Sequence, residues 1–259
     1  MNASVAYNLT FAAAVCVVCA VVVSSSFVSL EELQLANQAL EKRRNVLVAS
    51  GLAKADERLS RQEADARFEQ IKEVVIDLET GAEAVEIRAD LFDQRTAATD
   101  VETSRVVPDN NARVFRVPDH ALVYELRGPD GQLELVVLPI SGMGLWGPLY
   151  GFIAFDPDLK TIRGLTFYEH KETPGLGGEV DNPRWKALWP GRQAFDSAAQ
   201  TRIEVIRGRA GEPDADPYRV DGLAGATMTS RGVTNMLHFW LGEYGFRPYL
   251  ERLRTQGGV

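Results

Sequence analysis

The sequence predicts a single N-terminal membrane-spanning helix followed by an α+β domain whose largely antiparallel sheet is packed by helices. An apolar run opens the chain, and no charged side chain occurs before Glu31. After residue 113, strand-like segments joined by hairpin-type turns appear with a few helices and no strict βαβ alternation. These observations divide the chain into an anchor over 1–30, a juxtamembrane helix with a small α/β segment over 31–112, and a main domain over 113–259.

The composition is that of a globular protein that does not bind nucleic acid. Hydrophobic residues make up 45% and charged residues 25% of the 259 residues, and the net charge of −8 comes without a basic stripe. Cys16 and Cys19 are the only cysteines, and both lie in the apolar run. The three histidines are widely spaced, so we predict neither a disulfide framework nor a metal site in the main domain. Any redox chemistry is therefore expected to come from an organic cofactor or from partner subunits.

The apolar run has the length of a membrane span. Leu9 to Val28 covers 20 residues, and at about 1.5 Å per residue such a helix crosses a hydrocarbon core of roughly 30 Å. A cleaved signal peptide is the alternative, but the start MNASVAY lacks the Lys or Arg of its n-region. Cys16 and Cys19 share one helix face, which suits either close helix packing, the favoured interpretation, or an intramembrane thiol or metal site. We interpret the run as an uncleaved anchor.

The segment after the span gives a weak orientation signal. The basic cluster Lys42-Arg43-Arg44 follows the span, and the positive-inside rule would keep the main domain in the cytoplasm. We expect the span to break at Ser24–Ser26. A second helix is then expected to start with Ser29 and Glu32 as a capping box and to end at Gly51.

Turn residues and periodicity predict the remaining elements. A helix is expected to open at Asn182 with Pro183 in its first turn. The last helix carries an apolar stripe from Val233 to Tyr244 and is expected to end at Gly245. Residues 53–72 are helical in composition, and strands are predicted over 71–78, 121–127, 133–140, 150–155, 161–168 and 202–206.

A segment rich in glycine and hydroxyl groups stands just before the last helix, with the sequence DGLAGATMTS over 221–230. Its small residues permit close backbone approach, and a helix N-terminus offers free N–H groups and a favourable dipole to an anion. These residues alone leave two interpretations open. The segment is either a phosphate site or a helix start capped by the hydroxyl of Thr227 or Thr229.

The string GATMT in this segment resembles the acceptor signature of FMN-binding domains that a flavin transferase modifies. In that family the last Ser or Thr is joined to the phosphate of FMN, which implies that Thr229 is the attachment residue. Ala224 stands where the family usually has Ser or Asp, and this departure concerns recognition by the transferase rather than the acceptor hydroxyl. The resemblance also implies cofactor contacts from Gly225, Ala226, Thr227, Met228 and Ser230.

Two further segments resemble parts of the same family. The string ETPGLG over 172–177 resembles its flavin-binding loop, which implies contacts from Glu172, Thr173, Gly175, Leu176 and Gly177. The string GLW resembles the segment that lies against the isoalloxazine ring, which implies contacts from Gly144, Leu145 and Trp146. The alternatives are a plain turn for the first segment and core residues under a loop for the second. Glu172 is either structural or disfavours an anionic flavin.

Over nearly its whole length the chain is similar to the family of C subunits of sodium-translocating NADH:quinone reductases. The phrases that carry this resemblance are LQLANQALEKRRNVLVASGL, VIDLETG, LFDQRTAATD and PISGMGLWGPLYGFIAF. It implies that 113–259 is an FMN-binding domain with covalent FMN, which relays electrons in a six-subunit complex that oxidises NADH, reduces ubiquinone and pumps sodium. It also implies a single-pass protein of the bacterial inner membrane with a periplasmic domain, against the charge signal, and maturation by a flavin transferase.

Three other functions are alternatives to this one. They are a flavoprotein like the G-type subunit of an Rnf-type complex, a membrane-tethered assembly module with a vestigial flavin site, and a stand-alone flavin reductase. The last would need a G-x-G-x-x-G fingerprint after a strand, which the sequence lacks. We predict no catalytic acid or base, because the redox chemistry belongs to the flavin. The span has no ionisable side chain apart from its cysteines, so ion translocation is expected in other subunits.

Overall fold

The structure, a computed structural model, describes residues 3–57 and 59–257 of the chain. The chain divides into two compact units, Met1–Lys42 and Arg43–Val259. In chain order the helices are α1 Ala3–Ala49, α2 Arg61–Phe68, α3 Gln94–Thr99, α4 Pro183–Lys186, α5 Thr227–Trp240 and α6 Arg247–Gly257. The strands are β1 Ile71–Asp77, β2 Ser104–Val106, β3 Arg116–Pro118, β4 His120–Arg127, β5 Leu133–Met143, β6 Pro148–Phe155, β7 Ile162–Glu169, β8 Glu204–Val205 and β9 Arg219–Val220.

The first unit consists of the greater part of α1. Its stretch Val5–Glu31 has a mean hydropathy of 2.5, and by length and composition it can cross a membrane. None of its most apolar window is buried against other parts of the chain. The predicted apolar N-terminal helix is therefore present.

The predicted helix break at Ser24–Ser26 is wrong, because α1 continues through it. The hydroxyl of Ser26 donates to the carbonyl of Val22 at 2.8 Å, and that of Ser29 donates to the carbonyl of Ser25 at 2.7 Å. Serines that bond to the preceding turn are satisfied inside a helix and need not end it. Ser29 is thus not a cap, and the side chain of Glu32 lies outside the described residues.

The segment after α1 contains a shorter helix than the composition predicts. Gly51, with φ of +74°, follows the end of α1, as expected for a left-handed residue beyond a helix. In place of a helix over 53–72, only α2 forms, and Ser60 and Glu63 build a reciprocal capping box at its start. Helix α2 cannot extend to residue 72, because the chain is already extended from Ile71 onward, where β1 pairs with β4.

The second unit is built on a five-stranded antiparallel sheet. Its strand order is β1-β4-β5-β6-β7, and each neighbouring pair is antiparallel. The five corresponding predicted strands are all present, and the predicted fold class is confirmed. The predicted strand over 202–206 is reduced to β8, which pairs in parallel with β9, a strand that has no counterpart among the predicted elements.

The core lies between one face of the sheet and helices α5 and α6. Val233, Met236, Leu237 and Trp240 of α5 are buried in it, as the apolar stripe predicts. The prediction that this helix continues to Tyr244 is wrong, because α5 ends at Trp240 and Tyr244 is 38% exposed. The chain turns so tightly that a Cβ at Gly245 would lie 2.2 Å from the carbonyl oxygen of Trp240. The separate helix α6 follows.

The helix predicted at Asn182 is present but short. The Asn182 side chain caps α4 by accepting from the N–H of Arg184, and Pro183 opens the helix. Trp185 and Trp189 pack edge to face with ring centroids 5.3 Å apart, although Trp189 already lies beyond the helix. This helix connects the segment after β7 to the small β8–β9 pair.

The sheet face away from α5 carries a row of aromatic side chains. Ring centroids are 5.9 Å apart for Phe68 and Tyr124, 5.7 Å for Tyr124 and Phe152, and 5.1 Å for Phe152 and Tyr168. Burial raises the pKa of the Tyr168 hydroxyl, and the nearby Arg95 guanidinium opposes part of this shift. The guanidinium of Arg95, which belongs to α3, lies 3.6 Å from the ring centroid of Tyr150 and 5.4 Å from that of Tyr168.

Candidate flavin site

The buried carboxylate of Glu172 joins the three segments that the motifs single out. Its Oε1 accepts hydrogen bonds from the backbone N–H groups of Leu145 and Trp146, both at 2.9 Å. Its Oε2 accepts the hydroxyl of Thr229 at 2.5 Å, within the range of a charge-assisted O–H···O⁻ bond. Glu172 is 5% exposed and Thr229 is 1% exposed. The structure therefore brings the GLW segment, the ETPGLG loop and the GATMT segment together at one point.

Two glycines make room for this carboxylate. A Cβ at Gly144 would lie 2.5 Å from Oε1 of Glu172. A Cβ at Gly177 would lie 2.3 Å from Oε2 and 2.6 Å from Oγ1 of Thr229. Cβ atoms do not approach other atoms so closely in folded proteins. A side chain at Gly144 or Gly177 would therefore displace the carboxylate of Glu172 from its contact with Thr229.

The loop between Glu172 and Gly178 is a tight turn that leaves its tip in solvent. The carbonyl of Thr173 accepts from the N–H of Leu176 at 3.1 Å and from that of Gly178 at 2.9 Å. Gly175 has φ of +75°, and nothing lies within 4 Å of the position that its Cβ would take. Backbone and hydroxyl groups at this tip remain accessible to a ligand.

The start of α5 offers unpaired donors. Ala226 is the N-cap, and it has no side chain that can cap, so the interpretation of Thr227 or Thr229 as the capping hydroxyl is wrong. Within the described ranges, the backbone N–H groups of Thr227, Met228 and Thr229 have no hydrogen-bond partner. Three N–H groups at the positive end of a 14-residue helix suit a phosphate.

Ser230 has a structural contact next to this helix end. Its side chain is 5% exposed, and its Oγ accepts the N–H of Leu223 at 3.1 Å. Gly225 has φ of +70°, and a Cβ there would lie 3.0 Å from Leu176 Cδ2. The turn before α5 is therefore held by the hydrogen bond between Leu223 and Ser230, and at Gly225 it packs against Leu176 of the ETPGLG loop.

Large apolar side chains surround the buried polar cluster but stay in solvent. Trp146 is 66% exposed, Leu145 and Met228 are each 49% exposed, and Leu176 is 45% exposed. Leu145 and Trp146 are thus not core residues under a loop. Exposed apolar side chains next to unpaired N–H donors fit FMN, whose ring is flat with an apolar dimethylbenzene end and whose phosphate is an anion.

His170 is a further residue of the site, and the sequence motifs assign it no role. Its Nδ1 accepts the backbone N–H of Glu172 at 3.2 Å, so Nε2 carries the proton and donates to Asp181 at 2.7 Å. Lys186 lies 3.3 Å from the same carboxylate. The only sign of this role in the sequence is that a histidine stands two residues before Glu172. Its two hydrogen bonds fix the backbone where the ETPGLG loop begins.

Comparison with known proteins agrees with this geometry. Residues 144–242 match the FMN-binding domain family, and this range contains all three segments of the site. The C subunit of the Na(+)-translocating NADH-quinone reductase from Yersinia pestis is 41% identical over 256 residues, which cover 98% of this chain and 94% of that protein. The corresponding protein from Pseudomonas aeruginosa is 41% identical over 251 residues, which cover 95% of each chain.

A solved structure supports the same assignment. The crystal structure of Shewanella oneidensis NqrC matches with a TM-score of 0.77 at 35% identity, and the match covers 85% of this chain and 99% of that one. The resemblance inferred from the motifs is confirmed at the level of sequence and of fold. The chain belongs to the family of C subunits of Na(+)-translocating NADH-quinone reductases and contains that family's FMN-binding domain.

Proposed function

We propose that this chain carries FMN in phosphoester linkage on Thr229 and relays electrons within a sodium-pumping NADH:quinone reductase. The observation that carries the proposal is the position of Thr229 at the uncapped start of α5, where it meets Glu172 and three unpaired N–H groups. When bound, FMN would supply one-electron and two-electron redox chemistry. No residue of this chain is proposed to act as an acid or base in that redox chemistry.

The protein's part is to hold the cofactor and to set its surroundings. The N–H groups of Thr227 to Thr229 would bind the phosphate, and the dipole of α5 would stabilise its charge. A phosphoester leaves the ring system unmodified, so its potential would be set by contacts around it. The proposed contacts beyond the helix start are Gly144, Leu145, Trp146, Glu172, Thr173, Gly175, Leu176, Gly177, Gly225, Ala226 and Ser230.

A vestigial site in an assembly module is the competing hypothesis. The unpaired N–H groups, the close fit of Gly144 and Gly177 around Glu172, and the exposed apolar rim are all intact. A site that had lost its ligand would have no reason to keep these features together. The relatives named above are C subunits of the reductase, which favours that complex over an Rnf-type one.

Intact-mass analysis of the full-length chain is the direct test. We expect the chain produced together with a flavin transferase to gain the mass of FMN less one water, and peptide mapping to place the gain on Thr229. The same chain produced without the transferase is the control and should keep its unmodified mass. An unmodified chain beside a transferase that labels a known acceptor would contradict the attachment and support the assembly module.

We also propose that α1 is an uncleaved anchor in the bacterial inner membrane and that the domain faces the periplasm beside the other five subunits. The apolar stretch Val5–Glu31 supports the anchor. Val85 is 82% exposed and suits a reporter cysteine once Cys16 and Cys19 are replaced by serine. We expect a maleimide that does not cross the inner membrane to label Val85→Cys in cells whose outer membrane alone is permeabilised. Labelling only after the inner membrane is opened would place the domain in the cytoplasm.

A further inference from the structure

We infer that Glu172 is the general base that takes the proton of Thr229 when FMN is attached. The inference rests on the proposed attachment at Thr229 and adds a catalytic residue of the acceptor chain to it. The attacking atom would otherwise be a neutral hydroxyl, which is a weak nucleophile at its ordinary pKa. An adjacent carboxylate that accepts the proton removes this barrier.

The geometry already has the form of a nucleophile and its base. The hydroxyl of Thr229 donates to Oε2 of Glu172, and base and nucleophile in hydrogen-bond contact are the signature of this kind of catalysis. The other carboxylate oxygen, Oε1, is held by the N–H groups of Leu145 and Trp146. These two bonds fix the orientation of the side chain, so Oε2 faces the hydroxyl.

Burial makes the carboxylate the acceptor for this proton. Thr229 is 1% exposed and Glu172 is 5% exposed, so little water reaches the hydroxyl. In the part of the chain that the structure describes, the hydroxyl donates only to Glu172. With the proton directed at Oε2, the lone pairs of Oγ1 can attack a phosphorus atom once the exposed tip of the ETPGLG loop, residues 173–176, moves aside, while the N–H groups of Leu145 and Trp146 keep Glu172 in place. The unpaired N–H groups at the start of α5 can hold the oxygens of that phosphate.

The step is a group transfer without a change of oxidation state. The co-reactant is a flavin dinucleotide with a pyrophosphate linkage, presented by the transferase. Oγ1 of Thr229 forms a bond to the flavin-side phosphorus, and the P–O bond of the pyrophosphate breaks. A nucleoside monophosphate leaves with the electron pair of that bond, and the proton of Oγ1 passes to Oε2 of Glu172. A protonated Glu172 can then donate to the ester oxygen, which has lost its own proton.

The hypothesis that Glu172 has only a structural role makes a different prediction from the hypothesis that it is a general base. As a structural residue it would only tie the ETPGLG loop to Leu145 and Trp146. In E172Q, the amide oxygen can still accept these two N–H groups, but the side chain cannot take a proton from Thr229. The substitution therefore removes the proton acceptor and keeps the two hydrogen bonds from Leu145 and Trp146.

The test uses the full-length chain in detergent with purified flavin transferase and flavin adenine dinucleotide, and follows attachment by intact mass. We expect E172Q to lower kcat for attachment by about 100-fold, the lower part of the range for general-base catalysis. KM for the acceptor chain should stay at the wild-type value, and E172Q should remain folded at the assay temperature. Glu179→Gln is the matched control, because Glu179 lies in the turn directly after the ETPGLG loop and its carboxylate contacts Asn182 instead of Thr229. It should be modified at the wild-type rate.

The possible outcomes separate this inference from the proposed function. A wild-type chain that gains no mass refutes attachment itself. If the wild-type chain and E172Q gain mass at equal rates, Glu172 is not the general base. The same conclusion follows if E172Q raises KM alone. In both cases the attachment at Thr229 stands. Glu172→Asp keeps a carboxylate and should be modified faster than E172Q. It provides the comparison if E172Q is less stable than expected, and a rate no faster than that of E172Q would overturn the inference.

Discussion

Thr229→Ala is expected to abolish covalent FMN attachment while the domain remains folded. The change removes the one hydroxyl that is proposed to form the ester, and with it the donor to Oε2 of Glu172. Loss of a hydrogen bond to a buried charged group costs about 1.5–3 kcal/mol, which a domain of this size tolerates. Intact mass after production with the transferase measures the attachment, and thermal unfolding of the full-length chain measures the stability.

Two variants of the same helix are matched controls for this result. Thr229→Ser keeps a hydroxyl at the same position and should still become modified. Arg231→Ala removes an exposed side chain two residues away and should leave attachment unchanged. Stoichiometric covalent flavin in Thr229→Ala would show that another residue carries the ester. An unfolded Thr229→Ala would instead show that the Thr229–Glu172 contact is part of the stability of the domain.

Gly232→Ala is expected to destabilise the domain and to impair attachment, although alanine is the better helix former. Gly232 lies one turn after Thr229 in α5, and its backbone faces the end of β5. A Cβ there would lie 2.3 Å from the carbonyl oxygen of Met143 and 3.2 Å from Cα of Gly144. Both neighbours are backbone atoms, so α5 must move away from the sheet. Such overpacking costs about 1–3 kcal/mol, which exceeds the gain of about 1 kcal/mol in helix propensity.

The displacement would act on the site, because α5 carries Thr229 and the segment at Gly144 leads to the N–H groups that hold Glu172. Arg231→Ala is the control, since Arg231 is exposed on the same helix and its loss changes no packing. Chemical denaturation of the full-length chain in detergent measures the free energy of unfolding, and intact mass measures attachment. A Gly232→Ala variant as stable as Arg231→Ala would show that α5 and β5 are not in the close contact described.

The proposed attachment through the phosphate would leave the redox potential of the ring to be set by other residues of the site. The proposed link is made at the buried Thr229, whereas Leu145, Trp146, Leu176 and Met228 form an exposed apolar rim that is proposed to contact the ring. Holding the cofactor and adjusting its ring are thus assigned to different residues. If both proposals hold, we expect changes at the rim to alter the redox potential without affecting attachment.

The sequence by itself determined the features that depend on neighbouring residues. The apolar N-terminal helix, the strands of the antiparallel sheet and the cap at Asn182 follow from local periodicity and turn residues. The GATMT, ETPGLG and GLW segments also act through their own backbone, because their glycines permit turns and close approach. Together these three segments indicated the FMN-binding domain, and longer phrases such as LQLANQALEKRRNVLVASGL indicated the C-subunit family.

The features that depend on distant residues were decided by the tertiary structure alone. Glu172 and Thr229 are 57 positions apart, so only the packing of α5 against β5 and the loop after β7 shows that they form a pair. The end of α5 at Trp240 is likewise set by the tight turn at Gly245 and the packing of α6, whereas the apolar stripe alone predicted a longer helix. The apolar stripe of a helix or the motif of a loop indicates which side chains are buried, but not which distant atoms they contact. The proposed chemistry of this site depends on such a contact, the one between Thr229 and Glu172.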